Sequence, residues 1–206
     1  MSERWLQERK RDFYWRMAKK EGYRSRAAYK LLEANKKYRF IKPSGVVVDL
    51  GAAPGGWLQV AAGLVGNRGY VLGVDILPIE PLQLPNVETF IGNVADPDTV
   101  NKIREKLPRT ADAVLCDVSP SVSGVWEVDH ARQIDFARAS MRIALGILHP
   151  RGAFFTKVFQ GDLLDEFIKE MKQHFQQLRI IRPKATKAKS AEIYLLGLGP
   201  RLSRVA

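Results

Sequence analysis

Short apolar runs alternate with amphipathic stretches along most of this chain. The runs are rich in valine, leucine and isoleucine, which suit buried strands, whereas the stretches between them repeat apolar positions at helical spacing. Strands are expected near residues 46–50, 70–75, 87–91, 112–117, 152–158, 177–182 and 192–198. Helices are expected near residues 4–20, 25–38, 57–65, 98–107, 129–148 and 162–176. The pattern therefore predicts an α/β fold.

The order of these elements also predicts the sheet. Strands and helices that alternate at this rate are typical of a mostly parallel sheet with helices on both faces, which binds ligands at the carboxyl ends of its strands. The last two strands are too close in sequence for a helix to connect them. We therefore expect an antiparallel final strand, an ending more usual in methyltransferases than in dehydrogenases.

A break in the pattern at residues 42–45, Lys-Pro-Ser-Gly, divides the chain. Proline and glycine at such a point mark a turn between elements. We expect residues 1–42 to form a basic helical extension packed on a single domain of residues 43–206. Ser25 is a candidate N-cap for the second helix of the extension.

The first strand ends in an acid and opens directly into a glycine-rich turn. Residues 46–57 read Val-Val-Val-Asp-Leu-Gly-Ala-Ala-Pro-Gly-Gly-Trp. Glycines let backbone approach a ligand, and the helix that follows points its N-terminus at the same place. The spacing G-x-x-x-G-G differs from the G-x-G-x-x-G of dinucleotide sites. It favours S-adenosylmethionine over NAD.

A second apolar run, residues 70–75, also ends in an acid. Asp75 lies 24 positions after Gly51, and an acid at the end of the second strand binds ribose in many nucleoside-binding α/β folds. The alternative is that Asp75 caps a helix or stabilises a turn. Together the two motifs indicate an adenosine site.

Two central strands carry candidate chemistry at their carboxyl ends. Asp117 follows the strand near 112–117, and Lys157 emerges from the apolar strand near 152–158. A lysine in such a strand is costly unless it is paired or used in function. Asp117 is as consistent with a structural turn acid as with a catalytic group.

The charge of the chain is concentrated at one end. The net charge is +11 over 206 residues, and residues 1–42 hold fourteen Lys and Arg against five Asp and Glu, a balance of +9. A second basic cluster contains Arg179, Arg182, Lys184, Lys187 and Lys189. Basic patches interleaved with aromatic residues suit an RNA backbone and its exposed bases. The alternative is a solvated helix face.

Other features of the composition exclude several classes of protein. Cys116 is the only cysteine, so a disulfide within the chain is impossible, and the three histidines show no metal-ligand spacing. We expect no metal. Apolar stretches are far shorter than a membrane span, and the first twenty residues lack a signal-peptide core. We expect a soluble, cytoplasmic protein without membrane partners.

Five sequence segments carry a resemblance to a known family. They are residues 25–31 (Ser-Arg-Ala-Ala-Tyr-Lys-Leu), 48–57 (Val-Asp-Leu-Gly-Ala-Ala-Pro-Gly-Gly-Trp), 117–120 (Asp-Val-Ser-Pro), 156–161 (Thr-Lys-Val-Phe-Gln-Gly) and 190–194 (Ser-Ala-Glu-Ile-Tyr). In these segments, and in their order, the chain resembles the FtsJ/RlmE family of ribosomal RNA ribose 2′-O-methyltransferases. The resemblance implies a Rossmann-like, S-adenosylmethionine-dependent fold with a seven-stranded, mostly parallel sheet.

The resemblance also implies site residues. The family's Lys-Asp-Lys-Glu catalytic set falls on Lys30, Asp117, Lys157 and Glu192. Its cofactor positions fall on Gly55, Trp57, Asp75, Asn93 and Asp117. Asn93 is a departure, because bacterial members commonly have an acid there; Asp96 is a weaker substitute. Judged from the residues alone, Glu192 would be an exposed strand acid.

The implied reaction requires alignment and the loss of one proton. A ribose 2′-hydroxyl is a poor nucleophile, whereas the sulfonium methyl group is already activated. Lys157 is the candidate base or orienting group. Burial and the like charge of Lys30 favour its neutral form, whereas Asp117 and Glu192 favour its charged form.

The implied substrate is a ribose, with uridine preferred, in large-subunit ribosomal RNA. The partner would be ribosomal RNA or the large ribosomal subunit, and we expect the enzyme to be a monomer. Transfer RNA is an alternative substrate that the same motifs permit. A second alternative is an RNA-binding ribosome-assembly factor that keeps this fold without catalysis.

Overall fold

The computed structural model describes residues 12–201, which form seven strands and six helices. The strands are β1 (Val46–Leu50), β2 (Tyr70–Asp75), β3 (Val87–Ile91), β4 (Ala111–Cys116), β5 (Leu148–Phe159), β6 (Phe175–Ile181) and β7 (Glu192–Pro200). The helices are α1 (Phe13–Glu21), α2 (Ala28–Tyr38), α3 (Gly56–Val65), α4 (Thr99–Lys106), α5 (Trp126–Ile147) and α6 (Leu164–His174).

All seven strands join one sheet in the order β3-β2-β1-β4-β5-β7-β6. β7 runs antiparallel to both β5 and β6, and the other pairs are parallel. This confirms the predicted fold class and the antiparallel last strand. The strand order reverses between β1 and β4, and the carboxyl ends of these two strands are where a sheet of this kind binds its ligands.

Helices cover both faces of the sheet, and the strand residues alternate between two cores. Val48 and Phe154 belong to the core that contains α5 and α6 residues, whereas Val47 and Phe155 belong to the core beneath α2 and α3. Successive strand residues point to opposite faces, so both faces require apolar side chains. This explains the continuous apolar runs, in which Asp49 of β1 is a fully buried exception.

The part of the extension that the structure describes packs on the sheet domain. Leu31 and Ala34 of α2 join Phe40 and Ile41 in the same core as Val47. Residues 1–11, which include the start of the predicted first helix, lie outside the described residues. The described part begins with the N-cap Asp12, whose side chain accepts a hydrogen bond from the Trp15 amide at 3.1 Å. The domain division at residue 42 stays a prediction.

The predicted N-cap of α2 is wrong. The helix begins at Ala28 behind Ala27, which forms no side-chain cap bond. Ser25 instead lies against the glycine turn, where its hydroxyl leaves no room for a Cβ at Gly56. Tertiary contact with the turn thus takes precedence over local capping. Between residues 12 and 201, no helix has the length and apolar character needed to cross a membrane.

Candidate active site

Asp117 and Lys157 meet at the carboxyl edge of the sheet because β4 and β5 are paired neighbours. Asp117 directly follows β4, and its amide donates to the Leu50 carbonyl of β1 at 3.2 Å. Lys157 is 4% exposed, and its Nζ lies 3.2 Å from Asp117 Oδ1 and donates to the Asp117 carbonyl at 2.8 Å. Lys157 Nζ also hydrogen-bonds Ser119 Oγ. Three oxygens therefore surround Lys157 Nζ.

The other two residues of the implied catalytic set form the second ion pair of this region. Lys30 on α2 places its Nζ 2.6 Å from Glu192 Oε1 at the start of β7. Glu192 is 9% exposed, so the interpretation as an exposed strand acid does not hold. Helix α2 and the last strand thus contribute one charge each.

Tyr194 joins the two ion pairs, although sequence reasoning missed it. The residue is fully buried and lies opposite Lys157 in the β5–β7 register. Its hydroxyl donates to Asp117 Oδ1 at 2.9 Å, and its ring centroid lies 5.6 Å from Lys30 Nζ. Residues two apart on a strand share a face, which is the signal that could have linked Tyr194 to Glu192. The five side chains form one connected network.

Burial and nearby charges set the protonation states of Asp117 and Tyr194 in this network. Burial opposes ionisation of Asp117, but the positive charges of Lys157 and Lys30 and the Tyr194 hydroxyl bond keep its pKa below the ordinary value. Burial and the negative charges of Asp117 and Glu192 raise the pKa of Tyr194. Asp117 is therefore a carboxylate and Tyr194 a fixed donor at neutral pH.

The glycine turn lies beside this network. Gly51 and Gly55 have φ values of 75° and 107°. Glycine adopts such positive φ values readily because it has no Cβ. A Cβ at Gly51 would lie 2.6 Å from the Val118 side chain. A small pocket at this point is lined by residues of both motifs, including Asp49, Gly51, Gly56, Trp57 and Asp117. The first strand's turn and the acid after β4 therefore share one cleft.

Asp49 is the one acid of this cleft whose carboxylate has no hydrogen-bond partner among the described residues. Burial, followed by the negative charges of Asp117 and Asp75, raises its pKa well above the ordinary value. A buried polar group without a partner is costly. S-adenosylmethionine brings an ammonium and a sulfonium, so this orphaned acid and the glycine turn fit a cationic cofactor.

Asp75 already has backbone partners where the structure places it. Its Oδ2 accepts from the Ala53 amide of the glycine turn, and its Oδ1 accepts from the Leu77 amide, both at 2.9 Å. The turn-acid alternative thus describes part of its role. Each carboxylate oxygen has a further lone pair for a ribose hydroxyl. The fixed carboxylate is attached to Ala53, which lines the pocket at the glycine turn.

Asn93 lies at the far side, two residues after β3. Its Oδ1 accepts from the Ala95 amide at 2.9 Å, which fixes its own loop. The preceding residue, Gly92, donates its amide to the Asp75 carbonyl at 2.9 Å. The loop that carries Asn93 is therefore attached to the end of β2.

Trp57 belongs to the core more than to the open cleft. The ring is 3% exposed, stacks on Phe155 at 5.5 Å and donates its Nε1 hydrogen to the Ala27 carbonyl at 2.7 Å. This bond attaches α2 to the glycine turn. What Trp57 offers a ligand is the amide end of α3, where orphan N–H groups and the helix dipole favour a carboxylate.

Arg24 is a further residue of this region that sequence reasoning missed. Its guanidinium donates to the carbonyls of Pro54, Glu80 and Pro81, at 3.0, 2.5 and 2.8 Å. One side chain of the extension thus holds the glycine turn and the loop after β2 together. No motif in the sequence signals such contacts with carbonyls.

Residues 23–200 match the FtsJ-like methyltransferase family. The chain belongs to this family. Curated relatives named ribosomal RNA large subunit methyltransferase E include a protein of Archaeoglobus fulgidus, 49% identical over 91% of this chain and 95% of the relative. A second, from Methanocaldococcus jannaschii, is 44% identical over 94% of this chain and 80% of the relative. The expected family is confirmed.

Solved structures of this fold agree. A protein of Plasmodium falciparum described as a ribosomal RNA methyltransferase superposes with a TM-score of 0.78 at 28% identity, covering 88% of this chain and 100% of that one. A methyltransferase-like protein of Streptococcus mutans, crystallised with SAH, has a TM-score of 0.52 at 14% identity, covering 80% of this chain and 95% of that one. These neighbours share the fold. As a member of the FtsJ-like family, the chain is an S-adenosylmethionine-dependent methyltransferase.

Proposed function

We propose that this FtsJ-like enzyme transfers a methyl group from S-adenosylmethionine to a ribose 2′-hydroxyl, that of a uridine, in large-subunit ribosomal RNA. The observation that carries the proposal is the convergence of Lys30, Asp117, Lys157 and Glu192 on one network beside the glycine turn. The family and the names of its curated relatives support the substrate. Because one chain contributes all four side chains, the site needs no residue of a second subunit, and we propose that the enzyme acts as a monomer.

The residues along the carboxyl edge would hold the cofactor. Gly55 and the amide end of α3 at Trp57 would receive its carboxylate, and Asp75 would receive the ribose hydroxyls. Asn93 would hydrogen-bond adenine, and Asp117 would lie at the methionine end. Asp49 would supply the negative partner for a cationic group. The bound cofactor contributes the activated methyl group.

Lys157 orients the incoming hydroxyl. Its Nζ donates to Ser119 Oγ and to the Asp117 carbonyl and forms an ion pair with Asp117 Oδ1, so a ribose oxygen that enters the cleft replaces one of these partners. Lys30 and Glu192 fix the opposite side of the hydroxyl through their ion pair. Alignment for in-line displacement is the main task, because the methyl group is already activated.

Proton loss follows methyl transfer. The bound cofactor would supply the methyl group and keep the electron pair of the carbon–sulfur bond, so the 2′-oxygen needs only to be aligned with that bond. The 2′-oxygen then carries its proton as an O-protonated ether, a strong acid. The Asp117 carboxylate accepts this proton despite its lowered pKa.

The basic segments give the enzyme a surface for RNA. A pocket of about 450 Å³ lies between α1, residues 23–26 and Lys187, and its lining includes Lys19, Arg24 and Arg26. Arg26 also donates to the Ala185 carbonyl. The extension and the second basic cluster therefore meet on one face, where positive charge binds phosphates.

The test is incubation of the purified chain with labelled S-adenosylmethionine and, in parallel, large ribosomal subunits, free ribosomal RNA and transfer RNA. Alkali-resistant dinucleotides report ribose methylation. Label in ribosomal material is the expected result, and the preferred form shows when in assembly the enzyme acts. Label in transfer RNA alone, or in no RNA despite cofactor binding, contradicts the proposal.

A further inference from the structure

An exposed apolar patch lies near the catalytic network, in the loop after β4 and at the start of α5. Its residues are Val122, Val125 and Trp126, of which Val122 is 87% and Trp126 46% exposed. Neighbouring exposed apolar residues of this size mark an interaction site more often than scattered single ones do.

Trp126 is the rigid centre of this patch. Its ring stacks on His130 with centroids 5.9 Å apart and planes 13° apart, and on Phe159 at 5.9 Å and 26°. Burial lowers the pKa of His130, although Asp162 opposes the shift, so the supporting ring is neutral at neutral pH. Two rings thus support the tryptophan and leave about half of its surface to solvent.

The first turns of α5 also fix the loops around the patch. Asp129 accepts the Ser123 amide with both carboxylate oxygens, at 2.9 and 3.1 Å. His130 Nε2 accepts the Leu163 amide at 3.1 Å. Gln133 donates to the carbonyls of Val118 and Lys157, at 3.1 and 3.0 Å. The same helix therefore positions the patch and the catalytic lysine.

The register of the sheet sets how far the patch lies from the reaction. Phe159, one of the supporting rings, follows Lys157 by two residues and pairs with Glu192 across β5 and β7. Two residues along a strand span about 7 Å and share a face. Trp126 is thus placed to meet the nucleotide beside the one whose hydroxyl reaches Lys157.

We propose that Trp126 is a stacking platform for an unpaired base adjacent to the methylated nucleotide. This inference rests on the proposed function, because it requires an RNA substrate. An exposed aromatic ring that packs on Phe159, two residues from Lys157, is placed to stack on an unpaired base of an RNA substrate. The chain carries a net charge of +11, which matches a polyanion better than it matches a second copy of itself.

The first test measures kcat and KM for the RNA that the wild-type enzyme methylates, in three variants of Trp126 and one control variant. Trp126→Ala is expected to raise KM for RNA about tenfold, the effect of removing one base stack, with an unchanged dissociation constant for S-adenosylmethionine. Trp126→Phe keeps a π face and retains most of the affinity, whereas Trp126→Leu does not. Ile180→Ala, an exposed apolar residue on β6, is the matched control and leaves KM unchanged.

The second test removes the base instead of the ring. An abasic site is placed on either side of the methylated nucleotide. One of the two abasic RNAs should bind the wild type more weakly than the intact RNA does. The same abasic RNA should bind Trp126→Ala as well as the intact RNA does, because that variant has no ring for the base to stack on. Equal losses in both proteins would overturn the platform, as would full activity of Trp126→Leu.

Failure of the platform and failure of the proposed function give different results. If the wild type labels no RNA, the proposed function fails, and binding of the same RNAs to wild type and Trp126→Ala still tests the platform. An unchanged KM together with loss of a dimer in Trp126→Ala, seen by sedimentation, would assign the patch to a second copy of this chain and overturn the inference.

Discussion

The two halves of the cleft differ in how completely their polar groups are satisfied. The hydroxyl side is the half that would receive the ribose hydroxyl. There Asp117 binds both Lys157 and Tyr194, and Lys30 binds Glu192. On the side that would hold the cofactor, Asp49 is buried and has no hydrogen-bond partner within residues 12–201. Charges that are paired inside the protein are ready before substrate arrives, whereas an orphaned acid is stabilised only when a ligand supplies its partner.

This difference has a counterpart in the backbone. The hydroxyl side is built on β4, β5 and β7, central strands whose residues are held in register. The cofactor side is built on a turn in which Gly51 and Gly55 adopt positive φ. In the proposed reaction, the strand-built side would fix the geometry of the hydroxyl, and the turn would let the cofactor approach backbone amides.

The largest expected effect comes from breaking the hydroxyl side. Lys157→Ala should lower methyl transfer by at least about 100-fold, because the orienting donor is lost. The dissociation constant for S-adenosylmethionine, measured by calorimetry, should stay close to the wild-type value. Lys172→Ala, which removes an exposed lysine on α6, is the matched control. Retained turnover in Lys157→Ala would remove Lys157 from the reaction.

Asp49→Asn should break the cofactor side while it stabilises the free protein. The charged partner of a cationic ligand is lost, so affinity for S-adenosylmethionine should fall by roughly tenfold or more. The unfolding temperature of the cofactor-free protein should rise by a few degrees, since an orphaned buried charge costs at least about 1 kcal/mol. Asp165→Asn, an exposed acid on α6, should change neither quantity.

The stabilising effect of Asp49→Asn should depend on pH in a defined direction. Burial raises the pKa of Asp49, so ionisation destabilises the folded wild type relative to the unfolded chain, whose Asp pKa is about 3.9. The resulting loss of folding free energy is absent below the pKa of the unfolded chain and grows as pH rises towards the pKa of Asp49 in the folded protein. The gap in unfolding temperature should therefore widen as pH increases. A gap that is constant with pH would show that the carboxylate has a partner.

Tyr194→Phe should produce the smallest change, and it sharpens the account of the hydroxyl side. The Tyr194 bond helps to hold the pKa of Asp117 low, so its removal should raise that pKa. Activity that requires the Asp117 carboxylate is lost as pH falls through the pKa of Asp117. This fall in activity on the acid side of the pH profile, the acid limb, should move to higher pH in the variant. At neutral pH we expect a decrease in kcat of a few fold, from about 1 kcal/mol for one hydrogen bond. If the acid limb does not move, Tyr194 does not influence the pKa of Asp117.

Local sequence predicted most of the fold because its strands are buried on both faces. The predicted bounds of β1, β2 and β3 match the structure, since each apolar run ends at an acid, a turn or a glycine. β5 begins four residues earlier than predicted, at Leu148 instead of 152. Its first residues include Pro150 and Arg151, whose sequence does not resemble a buried strand, and pairing of Leu148 with Ala111 of β4 places them in the sheet.

The site was predictable only where its residues follow a strand. Asp117 and Lys157 stand at strand ends, so topology alone brings them to one edge. Lys30 and Glu192 came from the family resemblance, because their ion pair depends on how α2 packs against the sheet. The role of Tyr194 depends on the register of β7 against β5. The orphaned state of Asp49 depends on the absence of a partner among the described residues. A sequence displays neither.

The place of β7 in the sheet also sets an order on folding. β6 precedes β7 along the chain, yet it joins the sheet only through β7, which separates it from β5. The same strand carries Glu192 and Tyr194. Closure of the sheet and completion of the catalytic network are therefore one event, and a nascent chain that has emerged only as far as β6 has neither. The enzyme cannot acquire its reaction centre before its architecture is finished.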